Sequence, residues 1–277
     1  MNSDHFIWTD HSVLYTINAF GLEVPLRYYG LLFMLSFVLG FYYMWRLYRS
    51  ENRNVEHLDS ILNHMLLGTI IGARLGHCLF YDPAFFLSNP LEILFVWKGG
   101  LASHGGLIGI LIGLYLFCKK HPDTPYLWLI DRLTVPSALG AFFIRMGNFF
   151  NSEIIGVPSN LPWAIIFVNG DHSSVPDYTP RHPSMLYEAA GYLIIWVVLF
   201  SITKIKKENL QPGLCLGLLL VLVFTVRFIV EFTKTKQENF DLGSLNMGHF
   251  LSIPFILIGL YFVVRAFKNS ENKPLMN

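Results

Sequence analysis

Apolar residues along this chain gather into seven long runs, roughly 25–45, 60–81, 100–118, 126–149, 184–203, 212–233 and 247–267, separated by more polar connections. A helix needs about 20 mostly apolar residues to cross the hydrocarbon of a bilayer. The pattern therefore predicts an all-α integral membrane protein with seven transmembrane helices. Within the second run, Gly68, Gly72 and Gly76 recur four apart, as do Gly105, Gly109 and Gly113 in the third. That spacing lets two helix backbones approach closely, and beside His104 the missing side chains of Gly105 and Gly106 could instead admit part of a ligand. Two connections are longer than turns. Residues 82–99 (DPAFFLSNPLEILFVWKG) are Pro-broken and aromatic-rich, which suits an arm lying in the membrane interface. Residues 150–183 mix Pro, Gly, Asn and Asp with short apolar pieces and predict a small outer head.

The basic residues orient this arrangement. One set of connections holds Arg46, Arg49, Arg53, Lys119, Lys120, Lys204, Lys206, Lys207, Arg265, Lys268 and Lys273; the alternate set holds only Lys98, Arg181, Lys234 and Lys236. Cytoplasmic loops carry the Lys/Arg excess, so the N-terminus is expected outside and the C-terminus inside. Composition agrees with a membrane protein: 14% of residues are charged and 53% hydrophobic, against about 25% charged in soluble domains. A net charge of +1 argues against nucleic acid as a partner. Cys78, Cys118 and Cys215 all lie in apolar runs, so no disulfide or zinc framework is suggested. The opening MNSDHFIWTDHS lacks the basic and apolar regions of a cleaved signal peptide.

Ionisable residues inside a bilayer are costly and mark functional sites by default. Here they form a layer. Arg27 is expected at the outer start of the first span, and Arg74 and His77 in the outer half of the second. His104 falls near the outer end of the third, and Arg145 with Asn148 closes the fourth. His182, Tyr187 and Glu188 open the fifth span, while Arg227 and Glu231 close the sixth. At about 1.5 Å per residue, these groups lie within roughly 10 Å of the outer interface; only Asp131 and Arg132 point to the inner side, as a structural pair. A transporter needs ionisable groups near the midplane. A layer confined to one leaflet suits chemistry on a lipid headgroup, and several arginines in it favour a phosphate, which the guanidinium fork grips through two hydrogen bonds.

Four segments, RYYG (27–30), GGLASHGGLIG (99–109), RMGNFFNSE with the following Gly156, and RHPSMLYE (181–188), together resemble the prolipoprotein diacylglyceryl transferases of bacterial inner membranes. ARLGHCLFY (73–81), RFIVEF (227–232) and MGHFLSIP (247–254) extend the resemblance over nearly the whole chain, in order. It implies transfer of the diacylglyceryl group of phosphatidylglycerol to the lipobox cysteine of a prolipoprotein signal peptide. The products would be a thioether and glycerol phosphate, formed at a site facing the outer leaflet. No metal or other cofactor is expected; neither an HExxH motif nor a P-loop is present. Two HxxxxD matches, His5 to Asp10 and His172 to Asp177, are too common a pattern to carry weight.

The resemblance and the chemistry together assign roles. A thiol must lose its proton to attack carbon, and His104 is the candidate base. Arg145 and Arg227 are candidates to hold the phosphate and stabilise the leaving charge. Asn148 and Asn151 would orient the headgroup or lock the arginines, with Glu153 and Glu231 positioning guanidinium groups. Tyr29, Gly105 and Gly156 complete the expected phosphatidylglycerol site. Arg227 and Glu231, four apart, could alternatively be an ion pair that only joins helices. The chain departs from the family pattern at Ile144 and Ser152 (usually Gly), Val223 (Tyr), Lys234 (Arg) and His249 (Gln). A divergent enzyme with another lipid or acceptor, or a lipid-binding or transport protein without chemistry, therefore stands beside the leading reading.

Overall fold

The computed structural model describes residues 5–9, 12–19, 22–170, 175–235 and 245–271; Asp10, His172, Lys236 and Lys273 lie outside them. Long helices stand at all seven predicted windows: α1 (Tyr28–Ser50), α2 (His57–Phe80), α4 (Ser103–Lys120), α5 (Tyr126–Phe150), α6 (Ser184–Lys206), α7 (Leu214–Glu231) and α8 (Met247–Glu271). Five of them, α1 and α5 to α8, are long and apolar enough to cross a membrane. In α2, Asp59, Arg74 and three histidines interrupt the apolar run; α4 opens on Ser103–His104 and closes on two lysines. Phe33, Met34, Phe37, Val38 and Phe41 along α1 are exposed, as a lipid-facing helix requires.

The chain divides into two compact units, 1–43 with 130–277, and 44–129. In the second unit α2 and α4 pack glycine to glycine. A Cβ added at Gly76 would lie 2.9 Å from the Gly105 Cα, and one at Gly72 would lie 2.8 Å from the Gly109 Cα. A Cβ at Gly105 would collide with the Gly72 carbonyl, so the space beside His104 is filled by α2 backbone. Residues 82–99 form a short helix α3 (Pro83–Ser88) and two 3-10 turns. Arg74 of α2, 5% exposed, anchors them. Its guanidinium donates to the carbonyls of Ile93 (2.9 Å), Gly99 (2.6 Å), Gly100 (3.2 Å) and Glu92 (2.5 Å) and lies over the Phe86 ring. Leu87, Leu91, Leu94 and Trp97 of this arm are exposed.

The first unit has its core between α5, α6 and α7, around Val135, Ala138, Tyr192, Ile195, Leu199 and Cys215. α7 and α8 approach closely where Gly217 faces Gly259, and Phe224 stacks on Phe255 at 4.3 Å. Asp131 of α5, fully buried, accepts hydrogen bonds from the Gly213 (2.6 Å) and Leu216 (2.9 Å) N–H groups. It thus caps α7 across the fold, satisfying amides that a helix start leaves without partners. The neighbouring Arg132 donates to the Lys207 carbonyl at 3.1 Å, so both residues serve structure.

Short strands modify the all-α expectation. β2 (Val13–Ala19) and β3 (Leu22–Arg27) form an antiparallel hairpin with Ile17 opposite Val24. Arg27 therefore ends a strand rather than beginning a helix. In the 150–183 segment, β4 (Ile165–Phe167) pairs in parallel with β1 (Phe6–Trp8) and antiparallel with β5 (Pro180–Arg181). Ile155, Ile165, Phe167 and Met185 form a small core of their own beneath Trp8 and Phe149.

Candidate active site

The polar site grows from the way α5 ends. The Glu153 N–H donates to the Asn148 carbonyl at 2.9 Å and the Ser152 N–H to the Phe149 carbonyl at 3.0 Å. This reversal needs a left-handed residue at the turn, and Ser152 has φ +54°. Glycine takes that conformation without steric cost, which accounts for the glycine that the resemblance leads one to expect at this position. Ile154 follows at φ +59°, a strained conformation for a β-branched residue. The reversal returns the Glu153 carboxylate to the helix end, where it accepts from Asn148 Nδ2 (2.8 Å) and Asn151 Nδ2 (3.1 Å). Asn148 Oδ1 in turn accepts from Arg145 Nη1 at 2.9 Å.

The opposite edge of Arg145 belongs to α6. Its Nε lies 2.6 Å from Glu188 Oε2, an ion pair without hydrogen-bond alignment. Glu188 is fully buried, and a carboxylate in such surroundings is tolerated only when paired. Its second oxygen accepts from Lys234 Nζ at 2.9 Å, and Lys234 also donates to Glu231 Oε2 at 3.2 Å. A continuous chain results: Glu153, Asn148, Arg145, Glu188, Lys234, Glu231. Lys234 is carried into it by the backbone of the 150–183 segment. Gly156 bridges Lys234 in antiparallel fashion, and the Val157 N–H donates to the Thr233 carbonyl at 2.9 Å. A Cβ at Gly156 would sit 2.5 Å from that carbonyl, so this glycine admits backbone rather than a ligand.

The remaining expected residues fall as follows. Tyr29 lays its ring on Gly147, two residues beyond Arg145; a Cβ there would meet Tyr29 Cδ2 at 2.6 Å. Arg227 keeps a buried Nε without a hydrogen-bond partner. It shares the surroundings of Tyr192 with Arg145 and Glu188. Glu231 turns to Lys234 and not to Arg227, so the ion pair between those two residues does not form and Glu231 positions an ammonium group. Its carboxylate covers Gly248 at the start of α8, where a helix N-terminus favours negative charge. His104 and Gly105 belong to the other unit; His104 is exposed in the first turn of α4. His249 is buried, with Nδ1 accepting from the Asn246 N–H at 2.9 Å and its ring against Phe228 and Phe232.

Sequence reasoning gave neither Lys234 nor Glu188 a place in this chain: Lys234 counted among the cations of a connection, and Glu188 was placed at the start of the fifth span without a role. The available signal was Lys234 standing where the resemblance leads one to expect arginine.

Apolar helices with exposed hydrophobic faces, enclosing a buried row of alternating charges, define an integral membrane protein with a polar site among its helices. The family model for prolipoprotein diacylglyceryl transferase matches residues 17–265. Among similar proteins, the phosphatidylglycerol–prolipoprotein diacylglyceryl transferase of Tolumonas auensis is 45% identical over 246 residues, covering 88% of this chain and 93% of the relative. Those of Chloroherpeton thalassium and Porphyromonas gingivalis are 42% and 40% identical, covering 98% and 97% of both partners. The chain belongs to the prolipoprotein diacylglyceryl transferase family.

Proposed function

We propose that this protein transfers the diacylglyceryl group of phosphatidylglycerol to the lipobox cysteine of prolipoproteins at the outer face of a bacterial inner membrane. The family match along 17–265 carries this reading, since it spans every residue of the buried chain together with His104, Tyr29 and Arg227. All seven long helices cross the bilayer, with the basic connections in the cytoplasm and the N-terminus outside. The exposed apolar side chains of the 82–99 arm lie in the outer interface, and residues 150–183 form a small outer head.

The acceptor thiol gives its proton to a base, for which His104 is the candidate. The sulfur attacks the glyceryl carbon, the carbon–oxygen bond to phosphate breaks, and its electron pair leaves on glycerol phosphate. Negative charge grows on the phosphate during that step. Fixed cations lower the barrier because they need no reorganisation. Arg145 suits this role because Asn148 and Glu188 hold two of its edges, and Arg227 because its Nε is uncommitted. Asn151, Glu153 and Glu231 act by holding the chain, and Tyr29 borders it. The nucleophile comes from the substrate, so none of the three buried cysteines of the enzyme takes part.

The test is purified protein with phosphatidylglycerol and a lipobox peptide, read by mass for the added diacylglyceryl group, with a Cys→Ser peptide as control. His104→Ala and Arg145→Ala abolish or severely reduce transfer, and replacement of Cys78, Cys118 and Cys215 leaves it intact. Binding of the lipid without glycerol phosphate release would reduce the protein to a lipid carrier. Undiminished transfer by Arg145→Ala would remove its phosphate-holding role.

A further inference from the structure

The unit formed by residues 44–129 carries a second polar cluster, at the end of α2 and α4 away from His104. α2 begins at His57 and α4 gives way at His121, so their antiparallel packing brings the two rings to 4.3 Å between centroids. Asp123 completes a triangle in which the imidazole nitrogens and a carboxylate oxygen all lie within 4.8 Å of one another. His57 Nδ1 is buried without a hydrogen-bond partner and lies 3.8 Å from Asp123 Oδ2.

We propose that His57, His121 and Asp123 form a binding site for a divalent transition-metal ion of the zinc type. Two imidazoles and one carboxylate are a donor set that such ions take with a water in the fourth position; hard ions such as magnesium and calcium prefer all-oxygen sites. Ligand atoms about 2.0–2.2 Å from a tetrahedral ion stand roughly 3.3 Å apart. Closing the triangle therefore asks for side-chain shifts of about 1 Å, within reach of rotamer adjustment. The backbone beneath is already set: the His121 N–H donates to Phe117 at 2.9 Å and the Thr124 N–H to His121 at 3.0 Å.

Nearby cations do not take up the carboxylate. Arg53 donates to the backbone carbonyl of Asp123, leaving its side chain, and its guanidinium lies 4.5 Å over the Trp128 ring. An ion here would tie the connection after α4 to the start of α2. Nothing in the diacylglyceryl transfer calls for it, so the proposal stands apart from the catalytic reading.

The test uses the full chain in detergent, purified without a histidine tag. Cobalt(II) is titrated and followed by its visible absorption, with zinc displacing it. One equivalent is expected to bind with the strong bands of a four-coordinate site. His57→Ala, His121→Ala and Asp123→Asn should each weaken binding at least tenfold. His64→Ala should leave it unchanged, because His64 Nδ1 is engaged with the Ser60 carbonyl at 2.6 Å. X-ray absorption of the zinc-loaded wild type should show two imidazoles, and this reading does not depend on any variant folding. Absence of saturable binding, an all-oxygen shell, or equal binding by the His57→Ala/His121→Ala double variant would overturn the proposal.

Discussion

Replacing Lys234 with methionine tests whether the buried charges act as one chain. The side chain keeps a stem of similar volume and loses the terminal ammonium, which donates to Glu188 at 2.9 Å and Glu231 at 3.2 Å. Removing one partner of a buried ion pair costs about 3–5 kcal/mol, because a charge is left without compensation. Two features set the value at the lower end. Glu188 retains Arg145 at 2.6 Å, and Glu231 keeps the start of α8 beside it. The expected loss is therefore about 3 kcal/mol, or a factor on the order of 150 in the folding equilibrium. In a detergent-solubilised sample this is a fall of about 6–12 °C in melting temperature. Transfer to the lipobox peptide should fall as well, since Arg145 then holds Glu188 alone. Lys234→Arg keeps the positive charge and should lose far less stability than Lys234→Met. In a double-mutant cycle with Glu188→Gln, the coupling should reach about 2 kcal/mol. Strictly additive effects, or a Lys234→Met variant that melts and transfers like wild type, would refute the chain.

Four further outcomes are expected. Ser152→Gly relieves a left-handed backbone and removes a buried hydroxyl without a partner; it should stabilise by about 1 kcal/mol in thermal melts. Arg74→Met leaves four carbonyls without their donor, so the 82–99 arm should be cut faster by protease at unchanged α-helix content. Gly109→Ala drives a methyl into the Gly68 carbonyl, and the α2–α4 pair should lose several kcal/mol (about 1–3 for overpacking alone), read as a lower melting temperature. Asp177, outside the spans, is held below the usual carboxylate range by hydrogen bonds to Thr179 and then by Arg181. A depressed folded pKa stabilises above the unfolded value, about 3.9, and is lost as pH falls through the folded one. Amide protection factors around 175–181, corrected for the intrinsic pH dependence of exchange, should therefore fall on acidification, and Asp177→Asn should flatten that dependence.

Much of the architecture was legible in the linear pattern, for stated reasons. Apolar runs of bilayer length must become helices, since lipid offers the backbone no hydrogen-bond partners. The helices of the structure begin and end close to those runs. Glycines four apart on α2 and α4 announced a backbone contact that the two helices make. IRMGNFFNSE announced a site, because two amides and two charges at a helix end cannot all be satisfied by lipid. The N-terminal hairpin was missed although Tyr15, Ile17 and Ala19 alternate with Thr16 and Asn18, because its second strand merges into the apolar run that follows.

The sequence by itself determined that this is a membrane protein of long helices, which family it belongs to, and which residue types stand at the ends of its spans. Those features follow from local composition and from the period of the helix. Only the tertiary structure decided who pairs with whom. Glu188 became the centre of the site because α6 places it between Arg145 of α5 and Lys234, which the backbone of the 150–183 segment delivers. Glu231 left Arg227 for Lys234 for the same reason. A buried charge takes its partner from whichever element packing brings within about 3 Å, and that distance is a property of the fold.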